Sequence, residues 1–149
     1  MKVVIALGSN MGDTNSHLHH AIDELGKHID INAVSSFYKT APVGGPPQDD
    51  YLNAVVVGES EMDPLDLLVE MQEIELLAGR TREIQWGPRT LDLDLIAYGD
   101  LVVQEPHLEL PHPRAHERTF VLEPWLEIDP DATLAGHGSI RDLMRALKE

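Results

Sequence analysis

Alternating and periodic apolar positions divide the first hundred residues into strands and helices. Four apolar runs have the length and β-branched content of strands, and they cover residues 2–7, 31–39, 51–57 and 91–97. Apolar residues spaced three and four apart predict a helix after the first run and another after the third. Their apolar positions are Leu18, Ala21, Ile22 and Leu25 in the first helix, and Leu67, Leu68, Met71, Ile74 and Ala78 in the second.

The residues at the ends of both helical segments support their boundaries. Asp13 or Thr14 can cap the first helix, and Gly26 can end it. Asp63 followed by Pro64 is typical of an N-cap with proline at the first helical position. The order is therefore β-α-β-β-α-β, which predicts an α+β fold of the ferredoxin-like type. In that fold, one mainly antiparallel sheet carries two helices on one face.

The last third of the chain has a less regular pattern. We expect a short strand near 101–103, an irregular segment rich in histidine and proline at 106–116, and an apolar stretch from Phe120. A final helix is predicted over 138–148. No internal repeat or interdomain linker is visible, so we expect one domain over residues 1–149, with this last part as a C-terminal extension.

Charge and composition exclude several classes of function. Eleven Lys and Arg against 26 Asp and Glu give a net charge of −15, whereas binding to nucleic acid requires a basic surface. Adsorption to anionic membranes is disfavoured for the same reason. The absence of cysteine excludes disulfides and thiolate metal sites. No apolar run reaches about 18 residues, and the first run is too short for a signal peptide, so we expect a soluble cytoplasmic protein.

The most informative motif is the alternation of leucine and aspartate over residues 91–95. Side chains alternate between the two faces of a strand, so Asp92 and Asp94 share one face, about 7 Å apart along the strand. Two carboxylates at that spacing suit Mg²⁺, which keeps water ligands and is shared with substrate phosphates. The alternative is a solvated strand face, although aspartate is depleted in strands.

Five of the eleven basic residues lie on two loops that flank this aspartate pair. They are Arg80, Arg82, Arg89, Arg114 and Arg118. A guanidinium group matches phosphate oxygens and keeps its charge when desolvated, so the arrangement suits a Mg²⁺–polyphosphate. Alternatively, these arginines pair with the abundant acidic residues. The chain has neither a P-loop nor a G-x-G-x-x-G motif, so phosphoryl transfer would depend on metal and arginine, with His112 as a further phosphate donor, either neutral or cationic.

A second group of residues suits a flat heterocycle. Tyr51 and Asn53 share one strand face, which places an aromatic ring beside an amide that both donates and accepts hydrogen bonds. The long loop before this strand adds Thr40 and Pro42. Trp86, in a Gly-Pro turn, is either part of a site or an anchor for its own loop.

Together these motifs give the chain a specific family resemblance. The sequence from Arg80-x-Arg82 through Trp86-Gly-Pro-Arg-Thr-Leu-Asp-Leu-Asp94 resembles the signature of the 6-hydroxymethyl-7,8-dihydropterin pyrophosphokinases of folate synthesis. Shorter matches agree in order and spacing: Gly8-Ser9-Asn10, residues 35–40 followed by Pro42, residues 51–54, Gln72-x-x-Glu75, Pro111-His112 and Arg118-x-Phe120.

The resemblance implies transfer of pyrophosphate from ATP to the pterin hydroxymethyl group, with two Mg²⁺ ions, by a monomeric enzyme. Asp92 and Asp94 would hold both ions. The phosphates would be contacted by Arg80, Arg82 and Arg89, with Trp86 ordering their loop. The residues implied around the nucleotide are Gln72, Glu75, Leu95, His112 and Arg118. The pterin would contact Tyr51, Phe120, Asn53 and the backbone of Thr40, Pro42 and Val43.

Two other functions are compatible with parts of the pattern. The first is a ferredoxin-like regulatory module that binds a small ligand without turning it over, but such a module needs no carboxylate pair beside loop arginines. The second is a different Mg²⁺-dependent phosphotransferase or nucleotidyltransferase that uses the same aspartates. Product analysis distinguishes the alternatives, because only pyrophosphate transfer yields AMP together with a pyrophosphorylated pterin.

Overall fold

A computed structural model describes residues 1–41, 49–78 and 90–148. Its longer strands are β1 (Lys2–Ser9), β2 (Asp30–Val34), β3 (Tyr38–Thr40), β4 (Tyr51–Glu59) and β5 (Asp92–Tyr98). Two short pairs follow, β6 (Val103–Glu105) with β7 (Leu108–Leu110), and β8 (Thr133–Leu134) with β9 (Gly138–Ser139). The helices are α1 (Thr14–Leu25), α2 (Pro64–Leu77), α3 (Thr119–Ile128) and α4 (Ile140–Lys148), with a 3₁₀ turn at Ala115–Glu117.

The main sheet has the predicted ferredoxin-like arrangement. Its strand order is β2-β4-β1-β5, with β3 also paired to β4, and every pairing is antiparallel. The central strand β1 is flanked by β4 on one side and β5 on the other. Two β-α-β units joined in this way place the C-terminal end of β1 between the beginnings of β4 and β5.

The first face of the sheet is covered by α1 and α2, as the apolar spacing predicts. Val3, Ile5 and Leu7 point to this face and pack with a cluster of buried helix residues: Leu18, Ala21, Leu25, Leu67, Met71 and Ile74. The predicted caps are present. The side chain of Asp13 accepts a hydrogen bond from Ser16 N–H (3.1 Å), and that of Asp63 accepts one from Leu65 N–H (3.0 Å).

The C-terminal extension covers the second face, which makes the architecture three-layered. Its apolar stretch forms α3, and the last helix α4 starts at Ile140, two residues later than predicted. Side chains from both helices pack on the alternate strand residues: Val4, Ala6, Val55, Val57, Val121, Leu122, Trp125, Ile140 and Met144. None of the helices within the described ranges is long and apolar enough to cross a membrane.

Two predicted strands are wrong in their boundaries. The strand expected over 31–39 is interrupted between β2 and β3, because the Ser35 side chain takes over part of the ladder. Ser35 Oγ accepts a hydrogen bond from Val55 N–H (2.9 Å) and donates one to Ser36 C=O (2.8 Å). The strand expected near 101–103 starts only at Val103, as β6. It pairs with β7, which lies inside the segment 106–116 expected to be irregular.

Candidate active site

A cleft opens on the second face at the C-terminal end of β1. In the strand register, Gly8 lies opposite Asn53 of β4 on one side and opposite Asp92 of β5 on the other, and Ala6 lies opposite Asp94. Because directly opposed residues of antiparallel strands share a face, the amide and the two carboxylates flank the same strand. The tertiary structure therefore joins the two groups of residues that the sequence left separate.

Gly8 forms the floor of this cleft, and its missing side chain keeps the floor open. A Cβ atom at this position would lie 3.0 Å from Asn53 Oδ1 and 3.5 Å from Tyr51 Cδ1. The sequence motifs include this glycine only within the Gly8-Ser9-Asn10 match. Its position near the end of a strand is the signal that could have identified it, because strand glycines often mark a close approach of ligand or backbone.

The cleft has a volume of about 680 Å³ including its open mouth. Its walls come from β1, from the segment around β3 and β4, from β5 and from the start of α3. The lining residues are Ala6, Leu7, Gly8, Thr40, Ala41, Tyr51, Asn53, Asp92, Asp94, Arg118 and Phe120. Seven of the residues singled out in the sequence therefore line one cavity.

The two aspartates share a face, as their alternation with leucine predicts. Leu91 and Leu93 are buried in the first-face core, whereas Asp92 and Asp94 are half-buried and line the cleft. No group of three or more His, Asp or Glu side chains that could hold a metal ion occurs in the part of the chain the structure describes. Two carboxylates nevertheless fit Mg²⁺, which is commonly held by one or two carboxylates and completed by water and substrate phosphates.

Two cationic or donor side chains approach Asp94. Arg118 Nη1 lies 3.8 Å from Asp94 Oδ2, and His112 Nε2 lies 4.0 Å from Asp94 Oδ1. Both separations exceed hydrogen-bond length, so the interactions are electrostatic. The Arg118 guanidinium also lies over the Phe120 ring, 5.4 Å from its centroid. The arginine thus bridges the acidic and aromatic parts of the cleft.

His112 is an uncharged donor in this site at neutral pH. Burial first, and then the nearby charge of Arg118, lower the pKa of His112 to about 4, against the opposing effect of Asp92. Its Nδ1 accepts a hydrogen bond from Arg114 N–H (3.2 Å), so in the neutral ring the proton lies on Nε2, the nitrogen nearest Asp94. The alternative of a cationic histidine at neutral pH is therefore not favoured.

Tyr51, Asn53 and Thr40 lie together on the other side of Gly8. Asn53 is 6% exposed, and its amide Nδ2 donates a hydrogen bond to Thr40 Oγ1. Because that bond fixes the amide orientation, Asn53 Oδ1 is the atom beside Gly8. Phe120 is partly buried at the start of α3 and lines the same cleft. The predicted aromatic and amide groups are thus brought together.

Four residues expected around the nucleotide lie outside the cleft lining. His112 is one of them, although it lies near Asp94, and the other three are Gln72, Glu75 and Leu95. Glu75 is 4% exposed, and its Oε2 accepts a hydrogen bond from Leu93 N–H (2.8 Å), which ties α2 to β5. The Leu95 side chain is buried in the first-face core, and Gln72 is exposed on α2. Leu93 N–H points away from β1, towards the outer edge of β5. Because main-chain groups two residues apart in a strand point to the same edge, those of Leu95 also face this outer edge, and a nucleotide contact with Leu95 would have to be made there.

The remaining site predictions fall on Arg80, Arg82, Trp86 and Arg89, and on Pro42 and Val43. These six positions lie outside the described residues.

Similarity to solved structures agrees with the fold. The chain superposes on crystal structures titled HPPK-DHPS from Plasmodium falciparum. For the wild-type protein with SDX-DHP the TM-score is 0.76 at 16% identity, over 97% of this chain and 43% of that one. For the A437G protein with STZ-DHP it is 0.78 at 14% identity, over 97% and 45%. At these identities the likeness establishes the α+β architecture alone.

Sequence comparison identifies the family. The model for 7,8-dihydro-6-hydroxymethylpterin-pyrophosphokinase (HPPK) matches residues 4–130. A 2-amino-4-hydroxy-6-hydroxymethyldihydropteridine pyrophosphokinase of Haemophilus influenzae is 43% identical over 143 residues, 95% of this chain and 89% of that protein. The bifunctional protein FolKE of Lactococcus lactis subsp. cremoris is 47% identical over 126 residues, 83% of this chain but only 36% of that protein. The chain therefore belongs to the pterin pyrophosphokinase family, as the motif around Asp92 and Asp94 predicts.

Proposed function

We propose that this chain transfers the β,γ-pyrophosphoryl group of ATP to the hydroxymethyl oxygen of 6-hydroxymethyl-7,8-dihydropterin. The products are AMP and the pterin diphosphate, an intermediate for folate synthesis. The observation that carries the proposal is the shared cleft: Asn53, suited to a heterocycle edge, and Asp92, suited to a metal–phosphate, lie on either side of Gly8. Family membership makes pyrophosphate transfer the reaction that these two half-sites serve.

The pterin half-site recognises both the faces and the edge of the ring. Tyr51 and Phe120 offer aromatic surfaces to a flat bicyclic system. Asn53 Oδ1 accepts hydrogen bonds from the amino–pyrimidine edge, and the bond from Nδ2 to Thr40 holds the amide in that orientation. The neighbouring backbone of Pro42 and Val43 is assigned to the same edge by the family resemblance.

The phosphate half-site combines acidic and basic side chains. Asp92 and Asp94 would hold Mg²⁺, which supplies neutralisation of the polyphosphate charge when bound. Arg118 supplies a fixed positive charge next to Asp94, and His112 supplies a neutral N–H donor for a phosphate oxygen. The family resemblance adds Arg80, Arg82 and Arg89 for the phosphates, Trp86 for their loop, and Gln72, Glu75 and Leu95 for the nucleotide.

Catalysis in this arrangement comes from positioning and electrostatic stabilisation. Adjacent strands are about 4.8 Å apart, so the backbones at Asn53 and Asp92, one on each side of β1, are about 10 Å apart. That span suits a two-ring heterocycle bound at Asn53 with its hydroxymethyl arm directed towards the aspartates. Holding the acceptor oxygen beside the neutralised phosphate chain lowers the barrier without a covalent intermediate on the protein.

The proposal also covers organisation and location. We place the activity in a single domain over residues 1–149, because the two hydrophobic clusters lie on opposite faces of one sheet. We further propose a monomer that works in the cytoplasm.

Product analysis tests the reaction directly. The chain, incubated with ATP, Mg²⁺ and 6-hydroxymethyl-7,8-dihydropterin, should form AMP and the pterin diphosphate in equal amounts. ADP or free pyrophosphate as the main product would contradict the proposal. A parallel reaction with EDTA should form no AMP until excess Mg²⁺ is added, and AMP formation that continues under chelation would contradict the metal assignment.

A further inference from the structure

One carboxylate on α3 binds both the break between β2 and β3 and the first residue of β3. Glu127 accepts hydrogen bonds from Ser36 N–H at both oxygens (3.0 and 3.1 Å), from Ser36 Oγ (2.8 Å) and from Tyr38 Oη (2.6 Å). We call these three residues the Glu127 clip. The clip joins segments about 90 residues apart in the sequence, and the family resemblance assigns no role to Glu127.

On the helix side, the clip shares a face with the aromatic wall of the cleft. Phe120 and Glu127 are seven residues apart on α3, which is two helical turns, so their side chains project within about 20° of each other. Phe120 lines the cleft, and Glu127 contacts the β3 segment. The same face of α3 therefore supplies one cleft wall and the carboxylate that contacts β3.

On the sheet side, the clip holds the direct neighbours of the residues assigned to the heterocycle. In the β3–β4 register, Tyr38 lies opposite Asn53, and Thr40 lies opposite Tyr51. Asn53 also donates its hydrogen bond diagonally to Thr40. A displacement of β3 relative to α3 would therefore move Thr40 away from Asn53 and change the orientation of the recognising amide.

We infer that Glu127 is a positioning residue for the pterin: by clamping α3 to β3, it sets the separation of Phe120 from Tyr51 and Asn53. The inference rests on the proposed function, because it assigns the clamped space to the flat heterocycle. Glu127 does not line the cleft itself. Its effect on the substrate is transmitted through Tyr38 and through the helix that carries Phe120.

The chemistry of the clip makes it effective at neutral pH. The hydrogen bonds from Tyr38 and Ser36 hold the pKa of Glu127 below its usual value, so the carboxylate is charged. The same contact raises the pKa of Tyr38 to about 12, so the hydroxyl keeps the proton that it donates. Hydrogen bonds to a charged acceptor are stronger and more directional than neutral ones. Because the clip is exposed, it contributes more to geometry than to global stability.

Steady-state kinetics with matched variants tests the inference. Glu127→Ala should raise KM for the pterin about tenfold, and Tyr38→Phe, which loses one hydroxyl, about threefold. Both should leave KM for ATP and kcat within about twofold of wild type, since the phosphate half-site lies across Gly8. Glu127→Gln should fall between wild type and Glu127→Ala, because an amide oxygen still accepts from Ser36. The control is Glu123→Ala, an exposed glutamate on the same helix.

The outcomes separate this inference from the proposed function. Three results would overturn the positioning role alone. They are a wild-type KM for the pterin in both Glu127→Ala and Tyr38→Phe, a rise in KM for ATP equal to that for the pterin, or an effect of Glu123→Ala equal to that of Glu127→Ala. A wild-type chain that forms no AMP from the pterin would overturn the proposed function, and the inference with it. If thermal unfolding shows that Glu127→Ala does not fold, Tyr38→Phe tests the positioning role instead, because it removes a single oxygen atom.

Discussion

The two faces of the main sheet use the same strands for different purposes. On the first face, Val3, Ile5 and Leu7 are buried beneath α1 and α2 in a continuous apolar cluster. On the second face, Val4 and Ala6 are covered by α3 and α4, but the cover ends before Gly8. Successive side chains of a strand alternate between faces, so one strand can build a core on one side and a site on the other.

Two polar residues of the second-face cleft are tolerated because they have a defined partner or access to solvent. Asn53, nearly fully buried, donates to Thr40, and the half-buried Asp94 lies near Arg118 and His112. A buried polar group without such a partner would cost about 1–3 kcal/mol of stability. The first face is thus built for packing, whereas the second retains polar groups that packing does not require and that we propose for binding.

The largest expected effect is on the second face. Asp94→Asn should lower the rate of AMP formation about a thousandfold, because it removes a negative charge that we propose as a metal ligand beside the phosphates. The unfolding temperature should change little, since the carboxylate is half-buried and supports no core packing. Asp100→Asn, at an exposed aspartate in the turn after β5, is the control and should keep wild-type activity. Normal turnover by Asp94→Asn would refute the functional reading of this face.

The next effect belongs to the first face and has the opposite character. Leu67→Ala removes a fully buried side chain of α2 and should lower the free energy of unfolding by about 3 kcal/mol. Activity per folded molecule should remain within about twofold of wild type, because Leu67 itself lies outside the cleft lining. Chemical denaturation measures the first quantity, and the AMP assay measures the second. Leu65→Ala, at an exposed leucine of the same helix, should change neither. A selective loss of turnover in folded Leu67→Ala would show that the faces are not independent.

A smaller effect should follow from the aromatic wall. Phe120→Ala should raise KM for the pterin about tenfold, because it removes one stacking surface, with a weaker effect on KM for ATP. Phe120→Leu is the informative companion, since it retains the packing against the second-face cluster but not the aromatic ring. If Phe120→Leu behaves like wild type, Phe120 supports the wall by bulk rather than by stacking.

The smallest effect concerns the pH dependence of the Glu127 clip. The pKa of Glu127 is below its usual value of 4.5, so the clip stabilises the fold at and above that pH and loses its contribution as the pH falls through the lowered value. For Tyr38, whose pKa is raised to about 12, the contribution is present below the usual value of 10.0 and is lost as the pH rises towards 12.

The unfolding free energies of wild type and Glu127→Gln, measured from below pH 4.5 to above pH 10, should show this pH dependence of the clip directly. The difference should stay below about 1 kcal/mol because the cluster is exposed. It should be constant between the two usual values and should shrink on the acid side. A difference that grows with acidification would contradict the assignment of the charge to Glu127.

Local patterns of the sequence were sufficient for most elements of the sheet and for the shared face of the two aspartates in the candidate site. Alternation over residues 91–95 placed Asp92 and Asp94 on one face, and the spacing of the leucines placed both helices on the other. These inferences succeed because strand and helix periods of 2 and about 3.6 residues are fixed by backbone geometry. The break at Ser35 was not predictable, because it depends on hydrogen bonds to Val55, on another strand.

Only the tertiary structure decided how the separate patterns meet. The sequence by itself determined the family motif, the aspartate pair and the aromatic–amide pair, but the register of β1 against β4 and β5 joined them across Gly8. The tertiary structure also buried the side chains of Glu75 and Leu95 on the first face and brought Glu127 to Tyr38. Such contacts join residues far apart in the chain, so they follow from the packing of whole layers rather than from any local period.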